Sequence, residues 1–172
     1  MSRKTWLTSI DLIDLAVGFM GRGAFENPGD RGRAMAELFE TYCLPMMDGE
    51  IVPPGTNLVK INAPSNSTWG TTHTQILLSR KDRQCSVSDV LRPMTQTEVA
   101  TFEAQVTQII EADFPVLELD RQTGIRIDFF KVWAQFERTN PNRWGVTLVL
   151  PGFVGTQGET TLNMGLPRTL PD

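Results

Sequence analysis

Side chains able to carry chemistry are few in this sequence and lie far apart. The only histidine is His73, in Thr71-Thr72-His73-Thr74, and the only cysteines are Cys43 and Cys85. One histidine excludes a His-rich metal site. A mixed His, Cys and carboxylate zinc site needs several ligands at short spacings, which the sequence does not offer. For His73 to serve as a catalytic base, the fold must bring Cys43 or Cys85 beside it as nucleophile. Nothing local does so, and the simpler reading is a strand histidine with a local hydrogen bond or an exposed ring.

Cys43 closes an apolar helical stretch (Tyr42-Cys43-Leu44-Pro45), and Cys85 sits in a strand-like run. Small buried thiols are common core residues, which is the first reading of both. The second joins them in a disulfide closing a loop of about 40 residues, worth ~3–4 kcal/mol in the chain-entropy model. A reactive Cys43 is disfavoured, because the negative end of a helix dipole raises a thiol pKa. The carboxylates Glu98, Glu103, Glu111, Asp113, Glu118, Asp120 and Asp128 are scattered, with no spacing that argues for acid–base work over solubility. Glycine-rich runs at 21–23 and 152–158 match neither a phosphate loop nor a dinucleotide fingerprint, and no GxSxG elbow is present. Asn66-Ser67-Thr68 fits a glycosylation acceptor, a three-residue match that chance supplies easily. No catalytic, metal-ligating or cofactor-binding residue is named, and the chain reads as non-catalytic.

Composition narrows the partners. The 172 residues carry a formal net charge of −4, with 40% apolar and 21% charged residues, close to the globular norm. A chain of this length buries roughly 70% of its unfolded surface, enough for a core without metal or disulfide staples. Nucleic-acid binding needs a positive stripe. The nearest group, Arg22, Arg31 and Arg33, is interleaved with Glu26 and Asp30 and reads as a solvated loop and helix start. The opening apolar stretch from Trp6 to Met20 contains Asp11 and Asp14, which spoil both a signal-peptide core and a membrane span. The expected location is therefore cytoplasmic, or exported if Cys43 and Cys85 are bonded.

The elements that would position these groups follow from periodicity. Residues 5–20 predict a helix that is apolar nearly all round, with Thr8, Asp11 and Asp14 on one narrow strip. Gly21 to Asp30 reads as a connector. Asp30 is a good N-cap for a helix whose Met35, Leu38, Phe39 and Tyr42 share a face, stopped by Pro45. Strands are expected over 57–61, over 69–79 and, after a tight turn at Lys81-Asp82, over 84–87. Thr95-Gln96-Thr97-Glu98 fits a capping box, followed by Val99, Phe102, Val106, Ile109 and Ile110 on one face until Pro115. A short strand at 116–119 and a long one at 125–137 come next. On the long strand Phe130, Val132, Ala134 and Phe136 form the more uniformly apolar parity. Thr139-Asn140-Pro141-Asn142 predicts a turn into a strand over 144–150, and one more strand is expected near 160–164. Trp69, Trp133 and Trp144 fall in the sheet, as core or cross-strand residues or as part of a binding face.

The hairpin around Leu78-Ser79-Arg80 and Arg83-Gln84-Cys85 resembles the one around Phe136-Glu137-Arg138 and Arg143-Trp144-Gly145, each following a helix that ends near a proline. This suggests an αββ pseudo-repeat. The expected fold is α+β: an antiparallel sheet from two hairpin-containing halves, two amphipathic helices on one face, and an additional apolar N-terminal helix. The expected organisation is an arm at 1–24, one domain at 25–155 and a loosely held segment at 156–172.

The function expected from this pattern is a non-catalytic accessory or interaction protein, binding a protein partner or itself. Its apolar helix would make the contact through Trp6, Leu7, Ile10, Ile13 and Val17. The alternative is a small-ligand-binding module or enzyme with a pocket between sheet and helices.

Overall fold

The computed structural model describes residues 30–62, 67–72, 74, 76–90, 93–120, 130–150 and 159–167. The apolar N-terminal segment, with Trp6, Leu7, Ile10, Ile13 and Val17, lies outside the described residues, and so does His73. No helix among the described residues is long and apolar enough to cross a membrane.

Helix α1 runs Asp30–Tyr42 and is followed by a 3-10 helix, Leu44–Asp48, ended by Gly49 in the left-handed region at φ 76°. Four strands follow: β1 Leu58–Asn62, β2 Ser67–Thr71, β3 Ile76–Lys81 and β4 Gln84–Asp89. Helix α2, Gln96–Asp113, opens the second half and leads to β5 Glu118–Leu119, β6 Phe130–Gln135, β7 Trp144–Val149 and β8 Thr160–Gly165. All eight strands form one antiparallel sheet in the order β1-β2-β3-β4-β8-β7-β6-β5. The α+β class stands.

The strand order reads alike from both edges, with each half a helix followed by four strands rather than two. The hairpin β3–β4 is therefore placed like β7–β8. The residue resemblance pairs it instead with β6–β7, one strand out of step, because hairpins share turn chemistry. Within the segment 156–172, expected to be loosely held, the described part is the strand expected near 160–164. Its strand β8 pairs with β4 on one side and β7 on the other, at the centre of the sheet. The strand expected over 69–79 is two strands. Thr71 Oγ1 bonds the Thr74 hydroxyl and accepts from the Ile76 amide, so a threonine-stabilised turn interrupts what composition made look continuous.

One face of the sheet meets the helices. Directly paired residues share a face, and the row Leu78, Val87, Leu162, Leu148 is fully buried across β3, β4, β8 and β7. Cys85, Met164 and Val146 form the next row. Against them lie Met35, Leu38, Phe39 and Tyr42 of α1 and Phe102, Val106, Ile109 and Ile110 of α2, the stripes expected from the sequence. Each fully buried aliphatic or aromatic side chain contributes ~1.5–3 kcal/mol. The helices approach closely at Gly32, where an added Cβ would come within 2.9 Å of the Phe102 Cβ.

On β6 the helix-facing parity is Lys131, Trp133 and Gln135, not the more uniformly apolar set. Trp133 opposes the buried Val146. Lys131 forms an ion pair with Glu103 of α2, and Gln135 accepts from the Trp144 indole N–H at 2.6 Å. Both polar side chains find partners at the margin of the core, so pairing outweighs apolar count. Glu103, one of the scattered carboxylates of the sequence, is half-buried for the same reason.

Candidate functional site

The structure brings together two groups of side chains that the sequence keeps apart. The first is a buried charge cluster. Arg31, read from the sequence as a solvated helix start, is 1% exposed, and it donates to Asp89 at the end of β4 and lies 3.7 Å from Glu98 Oε1 of α2. Asp89 and Glu98 are 1% and 3% exposed. Burial without pairing costs several kcal/mol per ion, so the three charges are mutually dependent. Helical phase carried the signal: Arg31 lies on the stripe of Met35, Leu38 and Tyr42, and Glu98 on that of Phe102 and Ile109. Each helix starts its buried stripe with a charge, and the charges are opposite.

Glu98 also completes the expected capping box. It accepts from Thr95 N at 2.8 Å, while Thr95 Oγ1 accepts from Glu98 N at 3.3 Å. Next to the cluster, the Glu159 carboxyl is raised above its ordinary pKa of 4.5, first by burial and then by the nearby Asp89 charge. The cluster joins α1, α2 and β4 but is closed to solvent, so it acts as a structural clasp.

A second clasp lies further along α1. Cys43 and Cys85, both fully buried, are joined in a disulfide with their Cα atoms 5.4 Å apart. The first sequence reading, two core thiols, is thereby replaced by the second. The sequence offered this pairing but could not decide it for residues 42 positions apart. Nearby, the Arg80 guanidinium lies 4.8 Å from the Trp69 ring and 6.0 Å from Tyr42, and donates to the Val52 carbonyl at 2.7 Å. Burial lowers its pKa below the ordinary arginine range. Trp69 is thus half-buried against a cation, whereas Trp133 and Trp144 are core residues.

The second group forms an open groove of about 850 Å³ at the end of the sheet where β6 turns into β7. One wall is the 3-10 helix, with Leu44, Pro45 and Met47. The other is the C-terminal end of α2 and the turn after it, Asp113 to Val116. Phe114 and Trp144 form the floor, edge to face with centroids 5.8 Å apart. Val116 and Phe136 stand out at 53% and 49% exposure. Asp48, Glu50 and Asp113 rim the groove, and no Lys or Arg lines it among the described residues.

Phe136 has φ 70°, a left-handed backbone that an aromatic residue rarely adopts. Strain of this kind costs about 1–3 kcal/mol and must be held by its surroundings. Arg143 holds it: Nη1 donates to the Phe136 carbonyl at 2.8 Å and Nη2 to Asp120 at 2.7 Å. The result is an exposed aromatic ring at a defined place on the groove edge. Of these residues the sequence marked only Trp144, as either a core residue or part of a binding face, and none of the others as a site. The other trace was the turn Thr139 to Asn142, which closes the β6–β7 connection through Asn140 Oδ1 accepting from Asn142 N at 2.9 Å.

Among the described residues, no three His, Cys, Asp or Glu side chains are arranged to hold a metal ion. No protein-family model matches the chain, and no curated protein and no solved structure shows significant similarity to it.

Proposed function

We propose that this chain is a non-catalytic accessory or interaction protein whose described partner surface is the groove between the 3-10 helix, the end of α2 and the β6–β7 connection. The observation that carries this reading is Phe136, an aromatic side chain held half-exposed in a left-handed backbone by Arg143. Exposed aromatic anchors beside apolar pockets dominate protein–protein binding energies. The apolar segment with Trp6, Leu7, Ile10, Ile13 and Val17 supplies a second contact surface in the same proposal. The Cys43–Cys85 bond supports an oxidising place of work, since such bonds persist outside reducing compartments.

The test is site-specific photocrosslinking of the full chain in its native cells. A photoreactive phenylalanine analogue replaces Phe136 or, as a control, Val59, which is 47% exposed on the edge strand β1. A discrete protein adduct formed at 136 and not at 59 is expected. Equal adducts at both positions, or none at 136, overturn the proposal.

A further inference from the structure

We infer that the partner enters the groove with a segment presenting Lys or Arg next to an aromatic or aliphatic anchor. This rests on the groove being the partner surface, and it specifies the chemistry recognised there. Two independent features make the site electronegative. The rim carries Asp48, Glu50 and Asp113, all exposed, with no basic lining residue among those described. The wall includes the C-terminal end of α2, where the helix dipole places about half a negative charge on free carbonyls. Helices usually offset that end with Lys, Arg or His in the last turn; α2 has none there and ends on Asp113 itself. Like charge at a helix C-terminus is destabilising, and a bound cation relieves it.

The apolar half of the recognition comes from Phe136 and Val116, with Met47 across the groove. A cationic group over Asp113 and Asp48 and an anchor against Phe136 would be satisfied together by one short segment. An acidic or purely apolar segment would leave the rim charges repelled or desolvated. Specificity here comes from the sign of the rim, and affinity from the anchor.

The experiment selects a displayed random decapeptide library on the full, oxidised chain. The best peptides are then titrated against the parent and the Asp48→Asn/Asp113→Asn variant at low and high salt. Both replaced side chains are exposed, so the variant keeps its fold, and loss of Asp113 from the helix end should leave melting unchanged or slightly higher. Enrichment of Lys or Arg within two positions of an aromatic or aliphatic residue is expected. So are binding about tenfold weaker in the variant and weaker binding in salt. Selected peptides lacking the basic bias, or binding equally well to the variant, overturn the inference while leaving the groove as a partner surface. Crosslinking at position 136 decides that separate point.

Discussion

Reducing the Cys43–Cys85 bond should remove a large share of the stability of this domain. The two residues are 42 apart in sequence and both are fully buried. Closing a loop of that length in the unfolded chain is worth ~4 kcal/mol in the chain-entropy model. Domains of this kind have ~5–15 kcal/mol in total, so the bond accounts for between a quarter and most of it. For a chain of 150–250 residues each kcal/mol moves the midpoint by ~2–4 °C, which gives a drop of ~8–16 °C. Reduction is the cleaner perturbation, because both sulfurs stay in the core and no cavity is made. The assay is urea unfolding followed by tryptophan fluorescence and circular dichroism, on oxidised and fully reduced protein at one pH. A loss under 1 kcal/mol would refute the reasoning, since the cross-link would then not constrain the unfolded chain. Two free thiols on protein taken under denaturing conditions from its native compartment would refute the pairing itself.

Two further outcomes follow from the buried charges. Arg31→Met should cost ~3–5 kcal/mol, because Asp89 and Glu98 lose their shared cation inside the core; a urea midpoint within error of the parent would show that the cluster does not hold the helices to the sheet. Glu159→Gln should stabilise the fold near pH 7 and make no difference near pH 4. The carboxyl is raised in the folded state, so its proton-linked stability is fully present below pH 4.5 and is lost as pH rises through the raised value. Melting curves of the two chains from pH 4 to pH 8 that fail to diverge toward neutral pH would contradict this.

Much of the local structure was legible in residue order because its determinants are local. The stripes of α1 and α2 repeat every three or four residues. The capping box at Thr95 and Glu98 spans one turn, the turn at Asn140-Pro141 is closed by the Asn140 side chain, and the turn after Lys81 has Asp82 in the left-handed region at φ 49°. The turn inside residues 69–79 was hidden because threonine serves strands and turns alike. The facing of β6 was hidden because it depends on Glu103 and Trp144, partners on other elements.

The sequence by itself determined an α+β chain with two amphipathic helices and a set of antiparallel strands. Only the tertiary structure decided that β8 lies at the middle of the sheet, that Arg31 is buried and that Cys43 meets Cys85. It alone assembled the groove, from Met47, Asp113 and Phe136. Periodicity records which face of an element avoids water. It carries no information about which distant face that one will meet, and the charges, the disulfide and the groove all exist only at such meetings.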